Sequence, residues 1–323
     1  MQRKTTPELV TVFGASGAVG RHVVRALARR GYRVRAAVRN PNTALFLQPL
    51  GNVGQIEFMQ ANLRVRWSVD RAIEGASHVV NLVGILHEGG RQTFDAVQDF
   101  GARAVAEAAR AEGASLVHMS AIGADPDSEA GYAASKGRAE IAVREIIPAA
   151  VIVRPSIIFG PEDGFYNRFA SMARLSPFLP LIGGGHTRFQ PVYVGDVAEL
   201  IARAVEGSVK PGQTYELGGP EVKTFRECLE EMLKVIGRER MLVNIPWSVA
   251  RIQGAVLGLL PNPLLTSGQV KMLEVDTIVS EQAIKEGRTL EGVGIVPQGT
   301  DAILPGYLWR FRETGQYASP AAS

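Results

Sequence analysis

Val10-Thr11-Val12-Phe13-Gly14-Ala15-Ser16-Gly17-Ala18-Val19-Gly20 constrains the fold more tightly than any other stretch of this chain. An apolar strand runs into glycines at 14, 17 and 20, and a helix with apolar positions Val19, Val23, Ala26 and Leu27 follows. Each glycine has its own reason to lack a side chain. Gly14 makes the tight turn, Gly17 lets the backbone approach a pyrophosphate, and Gly20 lets the helix sit close to the strand. The amides at the helix start and the helix dipole favour phosphate beside Ala18 and Val19, with the Ser16 hydroxyl as an extra donor. Gly31 stands where the C-cap of that helix belongs. Glycine-rich turns are common in loops, but a strand before and a helix after this one point to dinucleotide binding.

With 323 residues, 46% of them hydrophobic and 21% charged, the chain can build one large domain or two smaller ones around a sizeable core. A net charge of +3, without a basic run interleaved with aromatics, argues against nucleic acid. Cys228 has no partner for an internal disulfide, which suits a reducing cytoplasm. Met1 to Pro7 is polar and leads directly into the first strand, so no signal peptide is expected. Five His and one Cys without metal-ligand spacing predict no metal.

Strand patterns at about 9–13, 33–38, 55–59, 78–84, 115–120 and 149–154 alternate with helical periodicity at about 18–30, 65–74, 92–112 and 132–146. Near-continuous apolar runs such as His78-Val79-Val80-Asn81-Leu82-Val83 read as parallel strands buried on both faces. The expected fold is therefore α/β, a doubly wound parallel sheet with the ligand across the carboxyl ends of its strands.

The end of the second strand bears on cofactor choice. An NAD-selective site usually carries a carboxylate there for the ribose hydroxyls. Ala36-Ala37-Val38-Arg39-Asn40 has none, so Arg39 is expected to fork onto a 2′-phosphate, with Arg21 adding positive charge. NADP(H) is the preferred cofactor and NAD(H) the alternative. Arg33 and Arg35 read as a solvated strand edge. Asn62-Leu63, after the third strand, falls where the adenine would lie, although Asn62 reads equally as a turn residue. Leu82-Val83-Gly84 closes the fourth strand beneath the cofactor, and Gly84 leaves room for it. Asp95, Gln98 and Asp99 read as a solvated helix face.

Tyr132-Ala133-Ala134-Ser135-Lys136 is the candidate for chemistry. At i and i+4 on one helix face, the ammonium favours the phenolate, so Tyr132 can pass a proton nearer neutral pH, and Lys136 can also hold the nicotinamide ribose. An exposed helix pair without consequence is the plain alternative.

Gly14-Ala15-Ser16-Gly17-Ala18-Val19-Gly20 together with Tyr132 and Lys136 resembles the short-chain dehydrogenase/reductase superfamily, in its extended or atypical branch. Val153-Arg154-Pro155-Ser156-Ile157-Ile158-Phe159-Gly160-Pro161 looks like that branch's segment under the nicotinamide, which places Pro155 and Ile157 at the cofactor. A narrower likeness rests on Ile158 to Met172 and on Gln190-Pro191-Val192-Tyr193-Val194-Gly195-Asp196-Val197. These segments are similar to the NADPH-binding accessory subunit family of respiratory complex I and its bacterial relatives, over about residues 8–310. The superfamily implies NAD(P)-dependent redox or epimerase chemistry through Ser, Tyr and Lys. The accessory branch implies tightly held NADPH in a structural or regulatory role, where the peripheral arm meets the membrane. Tyr132 and Lys136 match the superfamily's pair; its serine or threonine aligns at Ser120 or at Ala121.

Past Gly160 the pattern changes. Asp196 with Glu199 reads as a capping box opening a helix whose apolar face is Val197, Leu200, Ile201, Ala204 and Val205, packed back on the main domain. Another helix is expected at about 224–236. Residues 244–265 are too short and interrupted to span a bilayer, and read as a pocket or core wall, or as an interfacial or partner-binding helix anchored by Trp247. The resemblance favours contact with complex I subunits and peripheral attachment to the cytoplasmic face of the inner membrane. The expected division is 8–206 for the dinucleotide-binding domain (161–187 being an excursion), 207–317 for a smaller lobe, and 318–323 for a disordered tail.

Overall fold

The computed structural model describes residues 7–257 and 267–313. Strands are numbered along the chain. Six parallel strands, β1 (Leu9–Phe13), β2 (Arg33–Val38), β3 (Ile56–Gln60), β4 (His78–Asn81), β5 (Ser115–Met119) and β6 (Val151–Pro155), form a sheet that β11 (Thr214–Leu217) completes. The order is β11-β6-β5-β4-β1-β2-β3, every pair parallel. Strand order therefore reverses between β1 and β4, the switch point where doubly wound sheets open a crevice. Phe13 pairs with Asn81 at that crevice.

The apolar runs explain the layering. β1 is buried at all five positions, and its one hydroxyl, Thr11 Oγ1, donates to the Ala72 carbonyl at 2.8 Å. Helices α1 (Ala18–Arg29) and α6 (Val194–Val205) cover one face through Val23, Leu27, Val197, Leu200 and Ile201. Helices α2 (Arg66–Ile73), α3 (Phe100–Ala111) and α4 (Gly131–Ile146) cover the other through Val69, Ile73, Val105, Ala139 and Val143.

A third core lies apart, where α5 (Tyr166–Leu175) and α7 (Phe225–Ile236) pack around Phe159, Tyr166, Phe189 and Phe225. Beside it β8 (Phe178–Ile182) and β13 (Met241–Ile245) make a two-stranded parallel ribbon. Two short ladders, β7 (Ile158–Phe159) with β10 (Val192–Tyr193) and β9 (Arg188–Phe189) with β12 (Lys223–Thr224), stitch this region to the sheet domain. Thr214–Leu217 lies beyond the expected division at 206 and pairs with β6 in the main sheet.

Several local expectations need correction. β4 stops at Asn81, so residues 82–84 leave the sheet. The third helical segment starts at Asp95 with a π-helical turn rather than at 92. α6 begins at Val194, two residues before the expected cap; Asp196 instead accepts from the Gln298 amide at 2.8 Å, and Glu199 pairs with Arg30 and Arg203. A true capping box opens α7, where Thr224 and Glu227 bond reciprocally. β2 is an interior strand, and Arg35 is tied to Glu57 and to the carbonyls of Ala72 and Glu74, so it is not a solvated edge. Residues 244–257 form the end of β13 and helix α8 (Trp247–Leu257). Trp247 is half-buried against the third core, where its indole fills the space a side chain at Gly183 would need. Residues 258–265, the 318–323 tail and Met1 to Thr6 lie outside the described residues. Among those described, no helix is long and apolar enough to cross a membrane.

Candidate functional site

The glycine turn behaves as its spacing demands. Gly14 has φ +79°, a left-handed conformation open to glycine at little cost. A Cβ on Gly20 would lie 2.1 Å from the Gly14 carbonyl oxygen, so the helix approaches the strand as closely as backbone allows. Gly17 caps α1 at an ordinary φ of −74°, and a Cβ there would meet only the Gly14 oxygen, at 3.2 Å. α1 has no side-chain cap and no acidic residue in its first turn, which leaves the amides at Ala18, Val19 and Gly20 for an anion beside Ser16. The backbone here fits a pyrophosphate. Arg21 differs from expectation: it is ion-paired with Glu162 at 2.9 Å and stacked over Phe46, so Glu162 neutralises the charge expected to face the nucleotide.

At the nucleoside end, Arg39 is exposed at the end of β2 and donates to Gln92 Oε1 at 2.7 Å. Asn62 takes its turn role, its Oδ1 accepting from the Arg64 amide at 3.2 Å while its backbone pairs with Ser68. Leu63 is buried against Gly101 of α3, where a Cβ would be 2.9 Å from it.

At the reaction end, Tyr132 and Lys136 share one face of α4, as i and i+4 residues must. The buried Lys136 ammonium donates to the Met119 carbonyl at 2.9 Å and lies beneath Gly84, whose added Cβ would be 3.3 Å from it. Burial lowers this ammonium to about 8, against the raising influence of Glu140 one turn further on. Burial pushes the Tyr132 phenol up to about 12, with no relief from Lys136. Burial thus sets the direction at the phenol, and the expected support from Lys136 does not contribute to it. The phenol has no hydrogen bond among the described residues, and the ring rests edge-on against Phe94. Ser120 is 3% exposed and its hydroxyl is likewise without a partner among the described residues. Leu82 and Val83 leave the end of β4 above this cluster; Pro155 ends β6, and Ile157 accepts from Val192 through its carbonyl.

Sequence reasoning missed three members of this cluster. Gln98, expected on a solvated face, is 2% exposed; it accepts from the Ile85 amide at 3.3 Å and donates to Ser135 at 2.8 Å, and Ser135 donates to the Tyr132 carbonyl. It thereby ties the α4 helix to the segment leaving β4. Asp95 and Asp99 on the same stretch pair with Arg138, so only Gln98 departs from its expected place. His118, on the strand leading to Ser120, accepts from Asn81 at its Nδ1 and is held neutral, burial and then the Lys136 charge lowering it to about 3. Glu140 makes a bidentate pair with Arg154, at 2.8 and 2.7 Å, which completes a Tyr132–Lys136–Glu140 stripe at four-residue spacing. That spacing was the available signal for Glu140; nothing local signalled the burial of Gln98.

Comparison with known proteins adds a frame. Residues 10–218 match the model of the NAD dependent epimerase/dehydratase family. NADH dehydrogenase [ubiquinone] 1 alpha subcomplex subunit 9, mitochondrial, from Arabidopsis thaliana is 33% identical over 95% of this chain and 79% of its own length. A ceramide reductase of Caulobacter vibrioides is 34% identical over 74% of each chain. The NADPH-dependent quinone oxidoreductase QOR2 of Escherichia coli, solved with NADPH, has the same fold, with a TM-score of 0.70, 19% identity, and coverage of 93% of this chain and 97% of that one. Together with the glycine turn, these findings support a nicotinamide dinucleotide as the ligand of the crevice.

Proposed function

For this chain, which belongs to the NAD dependent epimerase/dehydratase family, we propose a role as an NADP(H)-holding accessory or assembly subunit associated with respiratory complex I. The nucleotide is structural or regulatory in this reading. Gly14, Ser16, Gly17, Ala18, Val19 and Gly20 hold its pyrophosphate, Arg39 its 2′-phosphate, Asn62 and Leu63 border the adenine, and Leu82, Val83, Gly84, Ser120, Tyr132, Lys136, Pro155 and Ile157 border the nicotinamide ribose. The sheet domain, 8–206 together with the strand Thr214–Leu217, carries the nucleotide, and the rest of the lobe at 207–317, with the excursion at 161–187, meets the partner. The ribbon supports such a contact: Phe178 opposite Met241 and Pro180 opposite Val243 set an apolar outer face, with Phe178, Met241 and Val243 at 51, 66 and 42% exposure. Attachment is then peripheral, at the cytoplasmic face of the inner membrane.

One observation carries the non-catalytic part. The Lys136 ammonium donates a hydrogen bond to the Met119 carbonyl, and the Tyr132 phenol, raised by burial, has no hydrogen bond to Lys136 among the described residues, so Lys136 does not ease release of the phenol proton. Bound NADPH would supply a hydride, and Tyr132 would have to accompany it without that help. A second reading, a free reductase of a bulky carbonyl or lipid substrate using Tyr132, Lys136 and Ser120, draws on the retained Tyr132/Lys136 pair and on the name of the Caulobacter relative. Affinity purification of the tagged protein from its own membranes tests the two. Co-purified complex I subunits together with NADPH released on denaturation are the expected result. Recovery of a monodisperse protein free of such subunits, with turnover of a lipid carbonyl, would favour the second reading.

A further inference from the structure

The loop between β4 and the π-helical turn reaches back across the crevice to the end of β2. Its Gln92 Oε1 accepts from Arg39 Nη1 at 2.7 Å, across 53 positions of sequence. The loop is held there from several sides. Gly89 and Gln92 exchange two backbone hydrogen bonds, each 3.0 Å. Arg64 donates to the Arg91 carbonyl at 3.0 Å, and Glu88 on the same loop accepts from the Phe94 amide at 2.7 Å. On the other side, the carbonyl of Arg39 accepts from Gln60 at 3.3 Å, which fixes the strand end.

We propose that Gln92 is a specificity-determining residue that completes, with Arg39, a donor-only cradle for the 2′-phosphate of NADP(H). The inference rests on the NADP(H) reading above and deepens it. A guanidinium only donates, so the carboxamide must turn its oxygen to Arg39 and keep both N–H donors of Nε2 uncommitted. Nε and Nη2 of Arg39 are likewise without hydrogen bonds among the described residues. A phosphate monoester accepts from all of these groups at once. A neutral ribose 2′-hydroxyl accepts from at most two of these donors and brings no negative charge to the guanidinium, so most of the cradle would stay unpaired against it. Gln92 thus adds neutral donors that favour the phosphate over the hydroxyl, a discrimination beyond what Arg39 alone provides.

Calorimetric titration of the full chain with NADPH, NADH and adenosine 2′,5′-bisphosphate tests this, using Gln92→Ala, the near-isosteric Gln92→Glu, and Arg39→Ala. Gln92→Ala should weaken NADPH and the bisphosphate by roughly tenfold, the scale of one hydrogen bond to a charged group, and leave NADH unchanged. Gln92→Glu should move the preference toward NADH. Equal weakening of NADPH and NADH by Gln92→Ala would make the loop merely structural and overturn the inference. So would unchanged NADPH binding in both Gln92 variants while Arg39→Ala loses it, an outcome that leaves the NADP(H) reading standing. If the unmodified protein and Arg39→Ala both bind NADPH and NADH equally, the NADP(H) reading falls and this inference with it.

Discussion

At the phosphate end of the crevice the backbone itself forms the binding surface, whereas at the reaction end everything depends on where a few side chains point. Gly14, Gly17 and Gly20 contribute by what they lack, and neither packing nor protonation elsewhere alters that. Tyr132, Lys136 and Ser120 contribute only if their polar atoms face a substrate. Here Lys136 faces the Met119 carbonyl, Ser120 is buried, and Gln98 and Ser135 bind the backbone around Tyr132. Binding at one end can therefore persist whatever becomes of the chemistry at the other, because the two ends answer to different physics.

The sharpest way to break this contrast is to put side chains into the turn itself. Gly20→Ala drives a Cβ to 2.1 Å from backbone that cannot yield, and should destabilise the fold by on the order of 3 kcal/mol in a denaturant titration. Gly17→Val, at an ordinary φ and with its Cβ against only the Gly14 carbonyl oxygen at 3.2 Å, should lower the melting temperature far less than Gly20→Ala yet abolish NADPH binding in calorimetry. Undiminished affinity in that variant would remove the phosphate site.

A smaller effect separates the nucleotides. Arg39→Asp should reverse the proposed preference for NADPH over NADH, since a guanidinium–phosphate contact contributes about 1.5–3 kcal/mol. Equal affinities in the unmodified protein would count against Arg39.

At the reaction end the polar cluster should report on acid. His118 has a folded pKa of about 3, below its ordinary 6.5, so the unfolded chain binds the extra proton between those values. Stability is then complete above pH 6.5 and declines as pH falls toward 3. Between pH 6.5 and 5 the loss should be about 2 kcal/mol. His118→Gln should flatten this part of the stability profile; an unchanged slope would show that the imidazole titrates normally.

The smallest expected effect is that of Tyr132→Phe. It should leave NADPH affinity, complex I assembly and electron transfer unchanged, because the phenol hydroxyl has no hydrogen-bond partner among the described residues. Loss of cellular function in a folded, nucleotide-binding Tyr132→Phe protein would restore a catalytic role and undo the contrast.

Local periodicity and turn chemistry in the sequence determined the six leading strands, the helices between them and the glycine turn. Apolar runs of period suited to buried parallel strands admit few alternatives, and φ > 0 at Gly14 belongs to glycine whatever surrounds it. The i, i+4 spacing likewise determined that Tyr132 and Lys136 share a face. What those side chains touch was decided by tertiary structure. Gln98 looked solvated because its neighbours Asp95 and Asp99 are; the π-helical turn carries it under the segment leaving β4. Arg21 looked free for phosphate until a carboxylate 141 positions away closed on it. Asp196 looked like a cap because a helix does begin nearby, yet the Gln298 amide claims it. In each case the polar side chain had several local uses of similar energy, and a partner brought by the fold from far along the chain chose among them.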